Sequence, residues 1–205
     1  LTGNAAVGVT GATTATGATA VNFSGLEIAL PTSPNGYFVI SKSPDQKYLV
    51  ETNPLFAVGA SFVGSDYMMQ HYGYSPDAEI KRLGDANYEG YLIRQQLISK
   101  TGNNIISGYG SEADQMKRLM DQGISQSKSS GFEFGAPLTA DQISNLKEDM
   151  VWMVETTVAG QKVLAPVVYL AAATRDVIVG AVIAGGNVII DADTVTNIGG
   201  TISAD

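Results

Sequence analysis

Few side chains in this 205-residue sequence are grouped in a way that could do chemistry. The single histidine, His71, stands in the phrase Met68-Met69-Gln70-His71-Tyr72-Gly73. A histidine base needs a nucleophile and an orienting carboxylate brought to it, and at the end of a short helix its cation simply suits the C-terminal dipole. It is read as structural. Asp191 and Asp193 could offer two oxygens to Ca²⁺, but the glycine and distal glutamate of an EF-hand loop are missing, as is a Gly-Gly-x-Gly-x-Asp repeat. Alternation along a strand puts both carboxylates on one outer face, so they are read as a solvated pair. Glu148, Asp149 and Glu155 suggest paired acid and base carboxylates. Adjacent helical residues diverge, however, and Glu155 follows in a strand, so capping and solvation account for them. Gly3, Gly8, Gly11 and Gly17 carry no phosphate-loop pattern and precede no helix. No catalytic, cofactor-binding or metal residue is assigned, no cofactor is expected, and the chain is not expected to be an enzyme.

Nine tyrosines are more suggestive, with Tyr67, Tyr72, Tyr74, Tyr88 and Tyr91 bunched together. Tyrosine joins apolar area to a polar tip and is enriched at interfaces. Short helices depend on tertiary packing, so packing is the first reading and a partner or glycan surface the second.

The elements that must position these residues show in the charge distribution. Residues 41–165 hold 26 of the 32 charged residues, while both ends are written in Gly, Ala, Thr, Val, Ile and Asn. Net charge is -8, and the basic doublets Lys81-Arg82 and Lys117-Arg118 read as solvated helix faces, so no nucleic-acid partner is expected. With no cysteine there is no thiolate nucleophile, Cys-based zinc site or disulfide, and the composition suits export through an oxidising compartment. The chain begins at Leu1 without a signal-like segment, which reads as a fragment or processed piece.

Residues 1–20 are Gly/Ala/Thr-rich and read either as a flexible lead-in or as strands formed against a neighbour. Residues 21–60 alternate as short strands around Pro34-Asn35-Gly36 and Ser43-Pro44-Asp45. Residues 61–150 change to helical period. Ser65 is expected to cap a helix ending at Gly73, Ser75-Pro76 to start another ending at Gly84, and Asp85 to cap a third from Ala86 to about Lys100. Ser111 with Asp114 and Thr139 with Gln142 resemble capping boxes. Residues 151–170 return to period two as a hairpin, with Pro166 suggesting an edge or a bulge. In residues 171–205, Val182-Ile183-Ala184 recurs as Thr201-Ile202-Ser203, 19 residues on, across Gly/Asn corners. That recurrence reads as coils of a parallel β-helix continuing beyond the fragment, with a plain antiparallel hairpin as the alternative. The expected fold is mainly β: a right-handed parallel β-helix segment with an inserted helical subdomain.

A string of phrases then carries a resemblance. They are Gly36-Tyr37-Phe38-Val39-Ile40, Tyr48-Leu49-Val50-Glu51-Thr52-Asn53-Pro54-Leu55-Phe56, Ser65-Asp66-Tyr67-Met68, Lys81-Arg82-Leu83-Gly84-Asp85, Tyr88-Glu89, Thr101-Gly102, Gly108-Tyr109, Leu119-Met120, Leu138-Thr139, Asp149-Met150-Val151-Trp152-Met153-Val154-Glu155 and Val163-Leu164-Ala165-Pro166-Val167-Val168-Tyr169. Over about 36–170 the chain resembles the two-partner-secretion exoproteins of the filamentous haemagglutinin and contact-dependent growth inhibition type, as an internal segment. The resemblance implies a β-helical filament, secreted or held at the bacterial surface through an outer-membrane β-barrel secretion partner. The implied function is a structural and adhesive module that mediates cell contact or presents receptor-binding and toxin regions. Its partners would be neighbouring β-helix coils and a target-cell receptor or glycan. A carbohydrate-active β-helix enzyme and an outer-membrane-translocation module of a toxin-delivery protein are the alternatives.

Overall fold

The computed structural model describes residues 11–13, 19–23, 26–41, 45–56, 62–75, 80–106, 108–179, 182–185 and 201–204. A first small sheet holds β1 (Gly11–Thr13), β2 (Thr19–Phe23) and β3 (Leu26–Ala29), paired antiparallel in that order. The main sheet is built from β4 (Phe38–Ile40), β5 (Tyr48–Thr52), β6 (Arg82–Gly84), β7 (Met150–Val158) and β8 (Gln161–Tyr169), in the order β4-β5-β6-β8-β7. It is mixed. β4 and β7 run antiparallel to their neighbours, whereas β5, β6 and β8 are mutually parallel, with Tyr48 and Leu164 both in register with Arg82.

The helices are α1 (Ser65–His71), α2 (Ala86–Thr101), α3 (Glu112–Ser130), α4 (Ala140–Ser144) and α5 (Ala172–Val179). Local signals fix most of their starts. The Asp85 side chain accepts the Tyr88 N–H, Ser111 accepts that of Asp114, and Thr139 and Gln142 form a reciprocal capping box. Apolar stripes then seat α2 on β5, β6 and β8, and α3 on β7. Residues 150–154 of β7 are all buried, so both faces of the sheet are covered there, and the in-out alternation begins only at Glu155. One hydrophobic core, with Trp152 at full burial, runs from Ile28 to Ala171.

The expected β-helix with an inserted helical subdomain is therefore corrected. The structure is a small mixed α/β arrangement around one open sheet, and no β-helix is present among the described residues. The 19-residue recurrence does bring β9 (Val182–Gly185) beside β10 (Thr201–Ala204) in parallel register, but two strands are not a stack of coils. Nor are the helices an insert set apart from the strands. β6, inside the stretch expected to be helical, is the middle strand of the main sheet. Arg82–Gly84 is extended because β5 and β8 flank it on both sides, and local sequence does not encode such non-local pairing. The same topology corrects Pro166. β8 lies between β6 and β7, so Pro166 is on an inner strand, paired with Met153 of β7.

Candidate functional site

The most polar buried arrangement gathers where β5, α1, β6 and the start of α2 meet. β6 carries Arg82 inward, with no exposed side-chain surface. One guanidinium nitrogen donates to the Ile80 carbonyl at 2.9 Å, another to Asp66 of α1, and the plane lies 5.2 Å from the centre of the Tyr48 ring. The Tyr48 hydroxyl donates to the other Asp66 oxygen at 2.6 Å. Burial, with the Asp66 hydrogen bond and charge, pushes the Tyr48 phenol well above its ordinary value, so it stays a donor.

Glu89 of α2 completes the group. It is fully buried, and its Oε2 accepts the Ser65 N–H at 2.6 Å while Oε1 has no partner among the described residues. Burial pushes its carboxyl up to about 8; Asp66 adds to the rise, and hydrogen bonding from Ser65 and the charge of Arg82 oppose it. Alongside, Asp85 accepts the Thr52 N–H at 2.6 Å, the Thr52 hydroxyl at 3.1 Å and the Tyr88 N–H at 2.9 Å, so one carboxylate caps α2 and ties it to β5. Burial, then the nearby Asp85 charge, raises the Glu51 carboxyl. An open depression lined by Asp45, Gln46, Lys47, Tyr48 and Glu51 borders the cluster. The cluster can hold a proton on a carboxyl that is neutral near pH 7, and it can bind four elements together electrostatically. Among the described residues no group of three or more His, Asp or Glu could hold a metal ion.

The residues singled out in the sequence lie elsewhere. His71 is exposed at the end of α1, its ring 5.5 Å from that of Tyr67. The Tyr67 hydroxyl donates to Asp121, which also pairs with Lys117 at 2.7 Å. Burial raises the Asp121 carboxyl, but these two donors outweigh it and leave it below its ordinary value. Glu148 is exposed, while Asp149 accepts from Ala171 N–H and the Thr174 hydroxyl, both at 2.7 Å, at the entry to α5. Glu155 pairs with Lys162 at 2.7 Å across the hairpin, so the three carboxylates are not brought together. Asp191 and Asp193 lie outside the described residues. Most of the bunched tyrosines pack. Tyr72 stacks on Phe134 and meets Trp152 edge-on, and Tyr88 stacks on Tyr91.

Asp66, Arg82 and Glu89 were missed as a group. The doublet Lys81-Arg82 read as a solvated face, yet Arg82 is buried. One signal was available. The buried stripe of α2 is Tyr88-Glu89, Leu92-Ile93 and Gln96-Leu97, and a glutamate and a glutamine recurring within an apolar stripe mark buried polar work.

No protein-family model and no solved structure matches the chain. Curated relatives do. The chain is 34% identical over 208 residues to the 16S rRNA endonuclease CdiA of Enterobacter cloacae, covering 85% of this chain and 6% of that protein. It is 34% identical over 208 residues to the tRNA nuclease CdiA of Escherichia coli O6:K15:H31, again 85% of this chain and 6% of the relative. The tRNA nuclease CdiA-2 of Burkholderia pseudomallei is 36% identical over 170 residues, 83% of this chain and 5% of the relative. The relatives are thus CdiA proteins, in keeping with the contact-dependent growth inhibition half of the resemblance, and the chain spans only about 6% of their length.

These names overturn three expectations. The relatives are named as nucleases, which contradicts a structural and adhesive module, the absence of enzymatic function and the absence of a nucleic-acid partner. The error has a physical source. Acidic net charge and the lack of an assembled site belong to a chain that spans about 6% of these relatives, and they do not report the chemistry of the whole relatives.

Proposed function

We propose that this chain is part of a CdiA-type toxin that cleaves RNA, secreted by one bacterium and delivered into another. One observation carries the reading: the chain matches a 16S rRNA endonuclease and a tRNA nuclease at the same 34% identity over the same length of 208 residues. A segment equally related to toxins named for two different RNAs supplies something both have in common, and the choice between ribosomal and transfer RNA is made outside it. The buried Asp66–Arg82–Tyr48 cluster and the single continuous core suit such a shared, rigid part, because they fix the relative placement of strands and helices without committing surface to one substrate.

The test is RNA cleavage by the purified parent protein that carries this chain. Incubation with total bacterial RNA should yield discrete fragments of ribosomal or transfer RNA on a denaturing gel. RNA left intact by folded parent protein, under conditions in which a relative nuclease cuts, would overturn the reading.

A further inference from the structure

The buried carboxyl of Glu89 sits under a cover of bare backbone. A Cβ placed on Gly64 would lie 2.7 Å from Glu89 Oε2 and 3.0 Å from the Ala86 Cα, so the chain at Gly64 lies flush on the start of α2. Gly64 is also the N-cap of α1 and offers that helix no side-chain cap. The Ser65 N–H, in the first turn, is instead taken by Glu89. The seat of α1 therefore depends on a side chain from another helix.

We propose that Glu89 is a proton-operated latch on α1: neutral, it holds Gly64 and Ser65 down over the start of α2, and on losing its proton it releases them. The charged and titratable groups facing it are Asp66 from α1, Arg82 from β6 and Tyr48 from β5. In that set a neutral Glu89 leaves one carboxylate against one guanidinium. An ionised Glu89 adds a fully buried negative charge beside the partly exposed Asp66, and that burial cost is relieved by admitting water. The Gly64–Ser65 backbone lies directly against Glu89 Oε2, and lifting it frees the first turn of α1. The released conformer carries the carboxyl at its ordinary solvated value, whereas burial in the seated conformer pushes it up to about 8. Between these values the released conformer gains as pH rises, and above about 8 the gain levels off.

Hydrogen exchange of the 205-residue chain tests this. After correction for intrinsic rates, protection of the Ser65 and Tyr67 amides should fall about tenfold per pH unit between roughly pH 5 and 8. At pH 8 it should stand at least about tenfold below that of β7 and β8 amides, as expected of local opening. Glu89→Gln, which has no proton to lose, should abolish the slope at Ser65 and Tyr67. Equal protection in α1 and the β7–β8 hairpin at pH 8 would overturn the latch, as would a slope that persists in the variant. Should Glu89→Gln not fold, side-chain carboxyl NMR of the unmodified chain decides: one glutamate titrating near 8 supports the latch. Every glutamate titrating below about 6 would overturn it.

Discussion

Gln96 of α2 bonds to β8 as a strand would: its amide oxygen accepts the Val168 N–H at 2.9 Å. Its amide nitrogen donates to the Pro166 carbonyl, also at 2.9 Å. β6 is too short to continue pairing along β8, and one buried side chain supplies both missing partners. Gln96→Leu keeps the volume and removes both bonds. The expected loss is about 1–3 kcal/mol for each backbone group left unpaired, read by urea denaturation. Ile98→Ala, on the exposed side of the same helix, should change stability little. A Gln96→Leu protein as stable as the parent would refute the role.

Asp66 and Arg82 set the charge balance that Glu89 feels. Asp66→Asn removes a negative neighbour, so the Glu89 carboxyl should titrate lower; Arg82→Met removes the positive one, and it should titrate higher. Carboxyl NMR titration of the two variants reads both directions, and shifts of the same sign would contradict the arrangement. Removing one partner of a buried pair costs about 3–5 kcal/mol. Asp66 is 34% exposed, which places Asp66→Asn toward the low end.

Stability should fall as pH rises through neutrality. The folded Glu89 carboxyl is raised to about 8, against an ordinary 4.5 in the unfolded chain. Below 4.5 both states are protonated and its contribution is constant. Between the two values the folded state keeps a proton that the unfolded state has lost, so stability declines by about 1.4 kcal/mol per pH unit. It levels off above 8. Urea denaturation at pH 5, 6, 7 and 8 should show this slope in the parent and lose it in Glu89→Gln. Parallel profiles for the two proteins would contradict the assignment.

Gly123 lets α3 approach β7 at backbone distance. A Cβ there would stand 2.3 Å from the Val151 carbonyl oxygen, which cannot move without disturbing the strand. Gly123→Ala should therefore destabilise by about 1–3 kcal/mol or more despite its better helix propensity. Ser129→Ala, at an exposed position of the same helix, should not. Thermal melts of the two variants distinguish them, and a Gly123→Ala protein as stable as the parent would show that the helix can shift freely.

What the sequence disclosed and what it hid divide along the range of the interactions. The starts of α2, α3 and α4 were legible because Asp85, Ser111 and Thr139 each bond within three residues. Ser65 reads as the cap of α1 in sequence and is its first residue in the structure, where its N–H donates to Glu89 from another helix. Arg82–Gly84 reads as the end of a helix because its strand identity comes from β5 and β8, not from local sequence. The mixed sheet was hidden for the same reason, and a local Gly/Asn recurrence stood in for it as a β-helix. The polar cluster was hidden because Asp66, Arg82 and Glu89 lie on three elements, and no phrase of sequence joins them. The nuclease connection was not legible in any residue of the segment; it comes from the names of relatives.

On the proposed reading, the segment serves RNA-cleaving toxins in common and does not choose their target. The decisive experiment exchanges this segment, in the intact parent, for the matching stretch of the Escherichia coli tRNA nuclease relative and maps the RNA fragments produced. The exchanged protein should keep the cleavage pattern of the unexchanged parent. A pattern that travels with the exchanged segment, turning the parent into a tRNA nuclease, would contradict that reading.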